Sequence, residues 1–204
     1  MAKLEWKPGN MVYPLPAVMV SCADKEGNSN IITVAWTGTV CTNPPMCYIS
    51  VRPERHSYEI IRRTGEFVIN LTTARLARAT DWCGVRSGRD YDKFAEMGLK
   101  AEAAEVVKAP VVAEAPVSIE CRVRQIIPLG SHDMFLADVV NVLVDEEYID
   151  AESGRLDLQR AEPITYCHGE YFSLGEVIGH FGWSVRKKPC KANKSKQSHV
   201  RKKR

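Results

Sequence analysis

Ser50, Arg52, Arg55, His56 and Ser57 fall within eight residues and run directly into the amphipathic stretch Tyr58-Glu-Ile-Ile-Arg-Arg. Hydroxyl and guanidinium groups placed where an extended segment gives way to a helix suit an oxyanion. The first turn of a helix offers N–H groups that have no intrahelical acceptor, and the aligned peptide dipoles favour negative charge there. Charge-assisted bonds from arginine add to that grip. Just upstream, Thr33-Val-Ala-Trp-Thr37 reads as a strand of small and hydroxyl-bearing residues around one flat aromatic, Trp36. Beside an anion site, such a strand lets a planar ring approach the backbone closely. The chemistry these residues suit is capture of a phosphorylated planar cofactor.

Strands and short helices must position these groups. Two apolar runs, Pro14-Leu-Pro-Ala-Val-Met-Val-Ser-Cys22 and Ile31-Ile-Thr-Val-Ala-Trp36, flank the turn-like Asp24-Lys-Glu-Gly-Asn-Ser-Asn30 and predict an antiparallel pair. Met46-Cys-Tyr-Ile-Ser-Val51 predicts a third strand, closed by Pro53. Residues 57–63 predict a helix that stops at Gly65, and residues 66–71 a short buried strand. Thr72 and Thr73 offer N-cap chemistry to a helix over residues 74–83, which Gly84 and Gly88 break, and residues 91–97 begin another. From residue 117 onward period-two alternation dominates. Residues 133–144 read as a long strand whose later half is apolar on both faces. Many antiparallel strands with a few short helices predict a mainly β, α+β protein on a closed or nearly closed barrel. The pattern alone does not separate barrel from sandwich.

At 204 residues, 45% of them apolar, the chain suits one domain with a sizeable core. It has no apolar run of the roughly 18–20 residues that span a bilayer, and its start lacks a signal-peptide core, so the expectation is a soluble, cytoplasmic protein without a membrane partner. Ten of the 28 basic residues lie between Ser184 and Arg204, where there is no acidic residue; with 25 acidic residues elsewhere, the body carries about −7 and the end about +10. Such an end buries too little apolar surface to fold alone, which divides the chain into a domain over residues 1–184 and a basic, disordered tail over 185–204. Its attraction for polyanions is non-specific, so a nucleic-acid partner is not the favoured reading. Seven cysteines, with no Cys-x-x-Cys pair and several inside strand patterns, read as buried free thiols and not as a metal site. No Gly-x-Gly-x-x-Gly fingerprint occurs, so a Rossmann domain for NAD(P)H is not indicated.

Taken in order, Thr33-Val-Ala-Trp-Thr37, Asn43-Pro-Pro45, Ser50-Val-Arg-Pro53, Arg55-His-Ser57, Gly65-Glu-Phe-Val-Ile-Asn-Leu71, Ser87-Gly-Arg-Asp-Tyr-Asp-Lys-Phe94 and Gly169-Glu-Tyr-Phe-Ser-Leu-Gly175 resemble the flavin reductase-like, FMN-binding split-barrel family, and within it the flavoredoxin-type branch. The resemblance covers about residues 10–183. It implies a Greek-key split barrel, a homodimer with flavin near the subunit interface, and FMN as the group that carries the chemistry, with no catalytic side chain. Thr33, Val34, Ala35, Trp36 and Thr37 would border the isoalloxazine ring, while Ser50, Val51, Arg52, Arg55, His56 and Ser57 would surround the phosphate. Cys83 and Gly84 would belong to a loop closing over the ring and ribityl chain, to which Ser87 and Lys93 would add polar contacts. His168, Tyr171, Phe181 and Trp183 are further candidates for the pocket wall, or else for core or dimer contacts.

Two functions follow from the resemblance: an NAD(P)H-dependent flavin reductase, or a flavoredoxin-like carrier that takes electrons from a redox protein. A rival of another class is a non-catalytic binding protein whose basic tail contacts nucleic acid or an acidic partner.

Overall fold

In the computed structural model, residues 1–186 are described, and they fall into two units, one ending at Leu174 and one beginning at Gly175. The first unit opens with β1 (Leu15–Pro16), β2 (Val18–Ala23), β3 (Ser29–Val34), β4 (Thr37–Cys41) and β5 (Met46–Val51). Helix α1 (His56–Thr64) leads into β6 (Glu66–Leu71), and α2 (Ala77–Val85) and α3 (Lys93–Met97) follow. After the short β7 (Ala101–Glu102) and β8 (Val111–Val112) come the long β9 (Val117–Pro128) and β10 (Asp133–Val144), then the hairpin β11 (Ile164–Cys167) and β12 (Glu170–Ser173). In the second unit, among the described residues, the one regular element is a 3-10 turn at Trp183–Val185. No helix of the described chain is long and apolar enough to cross a membrane.

Seven strands pair in the order β3-β2-β6-β9-β10-β5-β4. The two outermost, β3 and β4, are consecutive in the chain and separated only by Ala35 and Trp36. Two residues cannot bridge the edges of a flat seven-stranded sheet, so the sheet must curl until its edges meet. The core confirms the curl. Val18, Val20 and Cys22 of β2, Ile32 and Val34 of β3, Cys47, Ile49 and Val51 of β5, Phe67 and Ile69 of β6, Cys121 of β9 and Phe135 and Ala137 of β10 form one buried cluster. Their i, i+2 spacing puts one face of each strand inward, as a barrel requires. Ile61 of α1 plugs the same interior. Helix α1 ends where Gly65 takes a left-handed φ of 71° and its N–H closes onto the Ile61 carbonyl at 2.8 Å.

The outer face of β2 and β3 is covered by α2 and α3, through Met19, Ile31, Leu76, Ala79, Cys83 and Phe94. Outside β6, Val68 packs under Val107 and Ala109 of the segment between β7 and β8 and under Val111 of β8. The fold is the mainly β split barrel with few helices that the resemblance implies. Three local readings are corrected. The stretch Thr33–Thr37 is not one strand: β3 ends at Val34 and the chain bends at Ala35 and Trp36, because the Trp36 carbonyl turns to accept the Ser50 N–H at 2.8 Å. Thr72 and Thr73 do not cap α2; the Thr72 hydroxyl donates to the Ala17 carbonyl, and a 3-10 turn at Ala74–Leu76 starts the helix instead. Gly84 lies inside α2, which runs to Val85. Strand β10 covers Asp133–Val144 as read from the sequence, its late half only partly buried, with Val142 47% exposed. Six of the cysteines are free thiols, as expected; Cys190 and the basic tail from 187 to 204 lie outside the described residues.

Candidate cofactor site

Where β3 turns away from the barrel and β5 ends, a cavity of about 380 Å³ opens. One wall is Ile32, Thr33, Val34 and Ala35, ending at the half-buried Trp36; Ser50, Val51 and Arg52 at the end of β5 form the next. Gly84 and Asp81 of α2 close a third side, and Tyr166 and Tyr171 of the β11–β12 hairpin a fourth. Trp36 lies nearly parallel to His132, with centroids 6.4 Å apart. Helix α2 comes this close to β3 because Gly84 has no side chain: a Cβ there would stand 3.1 Å from the Thr33 Cβ. The Thr33 hydroxyl then donates to the Thr80 carbonyl, tying strand to helix.

A second cavity of about 250 Å³ adjoins the first, sharing Ile32 and Arg55 with it. Its lining is cationic: Arg55, Arg86, Arg89 and Lys93, with Glu54 the one carboxylate among the described residues around it. Glu54 already pairs with Arg52 at 2.7 Å, and its carbonyl accepts from Arg89 Nη1 at 3.1 Å. Ser57 is buried at the first turn of α1 and accepts from Asn30 Nδ2 at 2.7 Å. Lys93 is 4% exposed, yet among the described residues its ammonium has one acceptor, the Cys83 carbonyl at 2.7 Å. An ammonium carries three protons, so this buried cation keeps donors to spare.

Burial depresses the Lys93 ammonium to about 8, with Arg55 pushing the same way against the Cys22 and Cys83 thiols. Burial, then the charges of Arg89 and Lys93, also lower His56, so the cavity favours its neutral form. Cys83 is buried with its thiol pushed up to about 11 by desolvation, so its sulfur stays protonated and unreactive near neutrality. An incoming anion relieves the Lys93 and His56 shifts and keeps the Cys83 thiol protonated. A dianionic phosphate would meet the spare Lys93 donors, three guanidinium groups and the start of α1.

Gly88 makes the second cavity's wall. A Cβ at that position would stand 2.1 Å from Asn30 Oδ1, inside contact distance. Asn30 is buried and holds Ser57, so it has little room to yield. Gly88→Ala is expected to displace the Asn30 amide, costing about 1–3 kcal/mol of stability by overpacking, and to weaken phosphate capture. Urea unfolding and a cofactor titration of the same variant check both; unchanged midpoint and affinity would show that Asn30 is free to move.

The structure gathers nearly all the residues that sequence reasoning singled out. Thr33, Val34, Ala35, Trp36, Ser50, Val51, Arg52 and Gly84 line the larger cavity, and His56, Ser57, Cys83, Ser87 and Lys93 the smaller, with Arg55 in both. Thr37 is the exception: it is buried, its hydroxyl donates to the Tyr48 carbonyl at 2.6 Å, and it lines neither cavity. Of the late candidates, Tyr171 lines the larger cavity, whereas His168 packs at a tilt against Tyr13 with centroids 4.4 Å apart. Sequence reasoning did not single out Asn30, Arg86 and Arg89 in the cationic cavity, nor Asp81, His132 and Tyr166 in the other. Three cations at 86, 89 and 93 around Gly84 and Gly88 were a readable signal of a cationic cavity; Asn30 carried none.

Comparison with known proteins agrees with this geometry. The family model described as a flavin reductase like domain matches residues 11–175. Among solved structures, flavoredoxin of Desulfovibrio vulgaris (Miyazaki F) superposes with a TM-score of 0.84 at 29% identity, covering 91% of this chain and 100% of that one. Nitrilotriacetate monooxygenase component B from Bacillus cereus has the same fold, with a TM-score of 0.79 at 24% identity over 88% of this chain and 100% of that one. An uncharacterized protein of Aeropyrum pernix is 29% identical over 157 residues, which span 76% of this chain and 58% of that protein.

Proposed function

The chain belongs to the flavin reductase-like domain family, and from that premise we propose that it is an FMN-binding oxidoreductase of the flavoredoxin type, passing electrons between a redox partner and an acceptor. The observation that carries the proposal is Lys93, a buried ammonium with spare donors in a cationic cavity that opens into a larger one walled by residues 32–36. Buried charges persist where a partner compensates them, and the residues present fit a monophosphate joined to a flat ring. In this reading Arg55, Arg86, Arg89, Lys93 and Ser57 hold the phosphate. Residues 33–36 lie along the ring, and Trp36 with His132 limits access to it.

FMN, once bound, supplies the hydride and electron chemistry; the protein binds it, excludes water from it and tunes it. The flavoredoxin likeness, over the whole of that chain, favours a carrier fed by a protein donor. The rival within the family is an NAD(P)H-dependent flavin reductase, in which nicotinamide stacks on the ring in the open cavity. A homodimer belongs to the same proposal, and would cover the half-exposed apolar residues of late β10.

Titrating cofactor-free protein with FMN tests the binding, with one FMN taken up per chain as the expected result. Protein that stays colourless at any concentration of FMN would overturn it. Anaerobic mixing of the holoprotein with NADH or NADPH then separates the two roles: no bleaching of the flavin band marks the carrier, and bleaching at catalytic speed marks the reductase.

A further inference from the structure

Asp81 is the one carboxylate among the described residues that line the larger cavity. It projects from α2, and Tyr171 of the opposing hairpin donates its hydroxyl to Asp81 Oδ1 at 3.3 Å. Tyr171 is itself steadied: its ring meets Tyr166 edge to face at 5.8 Å, and Tyr166 packs against Tyr13 at 6.3 Å. The acid is thus placed at the cavity wall by a supported aromatic hairpin. Neither the capture of phosphate nor the contact of residues 33–36 with a ring makes use of it.

We propose that Asp81, positioned by Tyr171, lowers the redox potential of the bound flavin by presenting a carboxylate in the wall of the ring cavity. The inference rests on the FMN reading given above. Two-electron reduction of a flavin takes up two electrons with either two protons, leaving the ring neutral, or one proton, leaving it negative. A carboxylate beside the ring disfavours the negative product and leaves the neutral oxidised ring nearly untouched. A cavity of that volume is roughly 9 Å across, so Asp81 acts on anything inside it within about one Debye length. With the ring in place water is displaced from between them, which strengthens the repulsion.

Burial, then the charge of Asp81 and the hydrogen bond to it, push the Tyr171 phenol up to about 12, so it remains a donor at neutral pH. Tyr171 therefore partly offsets the carboxylate as well as placing it. Removing the hydroxyl should bare the charge and lower the potential further; removing the charge should raise it.

The test is the midpoint potential of FMN-loaded wild type, Asp81→Asn, Tyr171→Phe and, as a control for net charge, the exposed Glu152→Gln. Expected are a higher potential for Asp81→Asn, with the ratio of reduced to oxidised FMN affinity raised about tenfold by loss of one nearby charge. A lower potential is expected for Tyr171→Phe, and none of this for Glu152→Gln. An Asp81→Asn protein that loads FMN fully yet keeps the wild-type potential overturns the proposal. Wild type that takes up no FMN overturns the reading beneath it, and the two failures are told apart by the flavin band before any potential is measured.

Discussion

Lys93→Met is expected to lower FMN affinity by roughly 10- to 150-fold, the equivalent of one charge-assisted contact of about 1.5–3 kcal/mol, while the cofactor-free protein becomes no less stable at neutral pH. The two halves of that expectation have one cause. In the cofactor-free fold the Lys93 ammonium is buried beside cationic side chains with one carbonyl acceptor among the described residues, so it costs stability that a methionine of similar length would not. Burial holds it near 8 when folded, against 10.5 in the unfolded chain. Between those values the unfolded state keeps a proton that the folded state has released, so stability of the cofactor-free protein rises with pH across that window. Below about 8 the full penalty is present. FMN reverses the preference, because a phosphate dianion favours the ammonium. Binding then draws in a proton above pH 8, and affinity falls with rising pH by up to about tenfold per unit. Lys93→Met should abolish both slopes. Isothermal titration in buffers of different ionisation enthalpy, with thermal unfolding at pH 7 to 10, measures them. A variant that binds FMN as tightly as wild type would remove Lys93 from the phosphate site.

Only part of the cationic cavity was legible, the part that is local: Arg55, His56 and Ser57 form one turn and one helix start. Ser50, Val51 and Arg52, expected around the same phosphate, line the larger cavity instead, and Arg86, Arg89 and Lys93 complete the cationic one from a segment about thirty residues on. What sequence could not supply came from contacts between distant segments. Nothing in Thr33-Val-Ala-Trp-Thr37 marks a bend at Ala35 and Trp36, since the small-residue pattern runs straight through it. The turn is imposed by Ser50, fourteen positions on from Trp36, whose N–H takes the carbonyl. Thr37 fell outside the cavities for the same reason: past the bend its side chain points to Tyr48. Thr72 had the right type for a cap, but a carbonyl 55 residues away claimed its hydroxyl. Asp81 reads as an ordinary polar helix position, and only the return of the chain at Tyr171, 90 residues later, gives it a role.

The barrel followed from alternation, yet alternation misreads the outward positions. In Val117-Ser-Ile-Glu-Cys-Arg-Val123 it sends Cys121 inward and turns Ser118 and Glu120 toward solvent. Both are buried. Asn70 on β6 reaches across to hold the covering segment: its Oδ1 accepts from the Val112 N–H at 2.9 Å and the Ser118 hydroxyl at 2.8 Å, while its Nδ2 donates to Met19 O and Ser21 Oγ. A polar residue facing outward on a strand is therefore no guide to exposure when a later segment closes over it.

Glu120→Ala is accordingly expected to destabilise the fold by about 3–5 kcal/mol, because a set of charge-assisted bonds of about 1.5–3 kcal/mol each is lost and only partly replaced by water. Glu120 is fully buried. Its carboxylate accepts from the Glu105, Val106 and Val107 amides at 3.1, 2.7 and 2.9 Å and from Asn141 Nδ2 at 2.8 Å. Glu66 and Arg122 hold the same segment from the side, through the Lys108 amide at 2.9 Å and the Val106 carbonyl at 2.9 Å. Without Glu120, three amides are left facing a cavity and Val107, Ala109 and Val111 lose their seat over Val68. Glu120→Gln keeps the shape but sets an amide NH2 among donors, so it should recover only part of the loss. Burial by itself would raise the Glu120 carboxyl, but the Asn141 and backbone donors outweigh it and hold it below the usual carboxylate range. Its contribution is thus present above the unfolded value of about 4.5 and is lost as pH falls through the depressed folded value, where the unfolded chain binds the proton first. Urea unfolding at pH 7 and at pH 4, with hydrogen exchange at residues 105–107, measures both effects. Unchanged stability in Glu120→Ala, or an acid slope that survives in Glu120→Gln, would show that the segment is held by its apolar contacts alone.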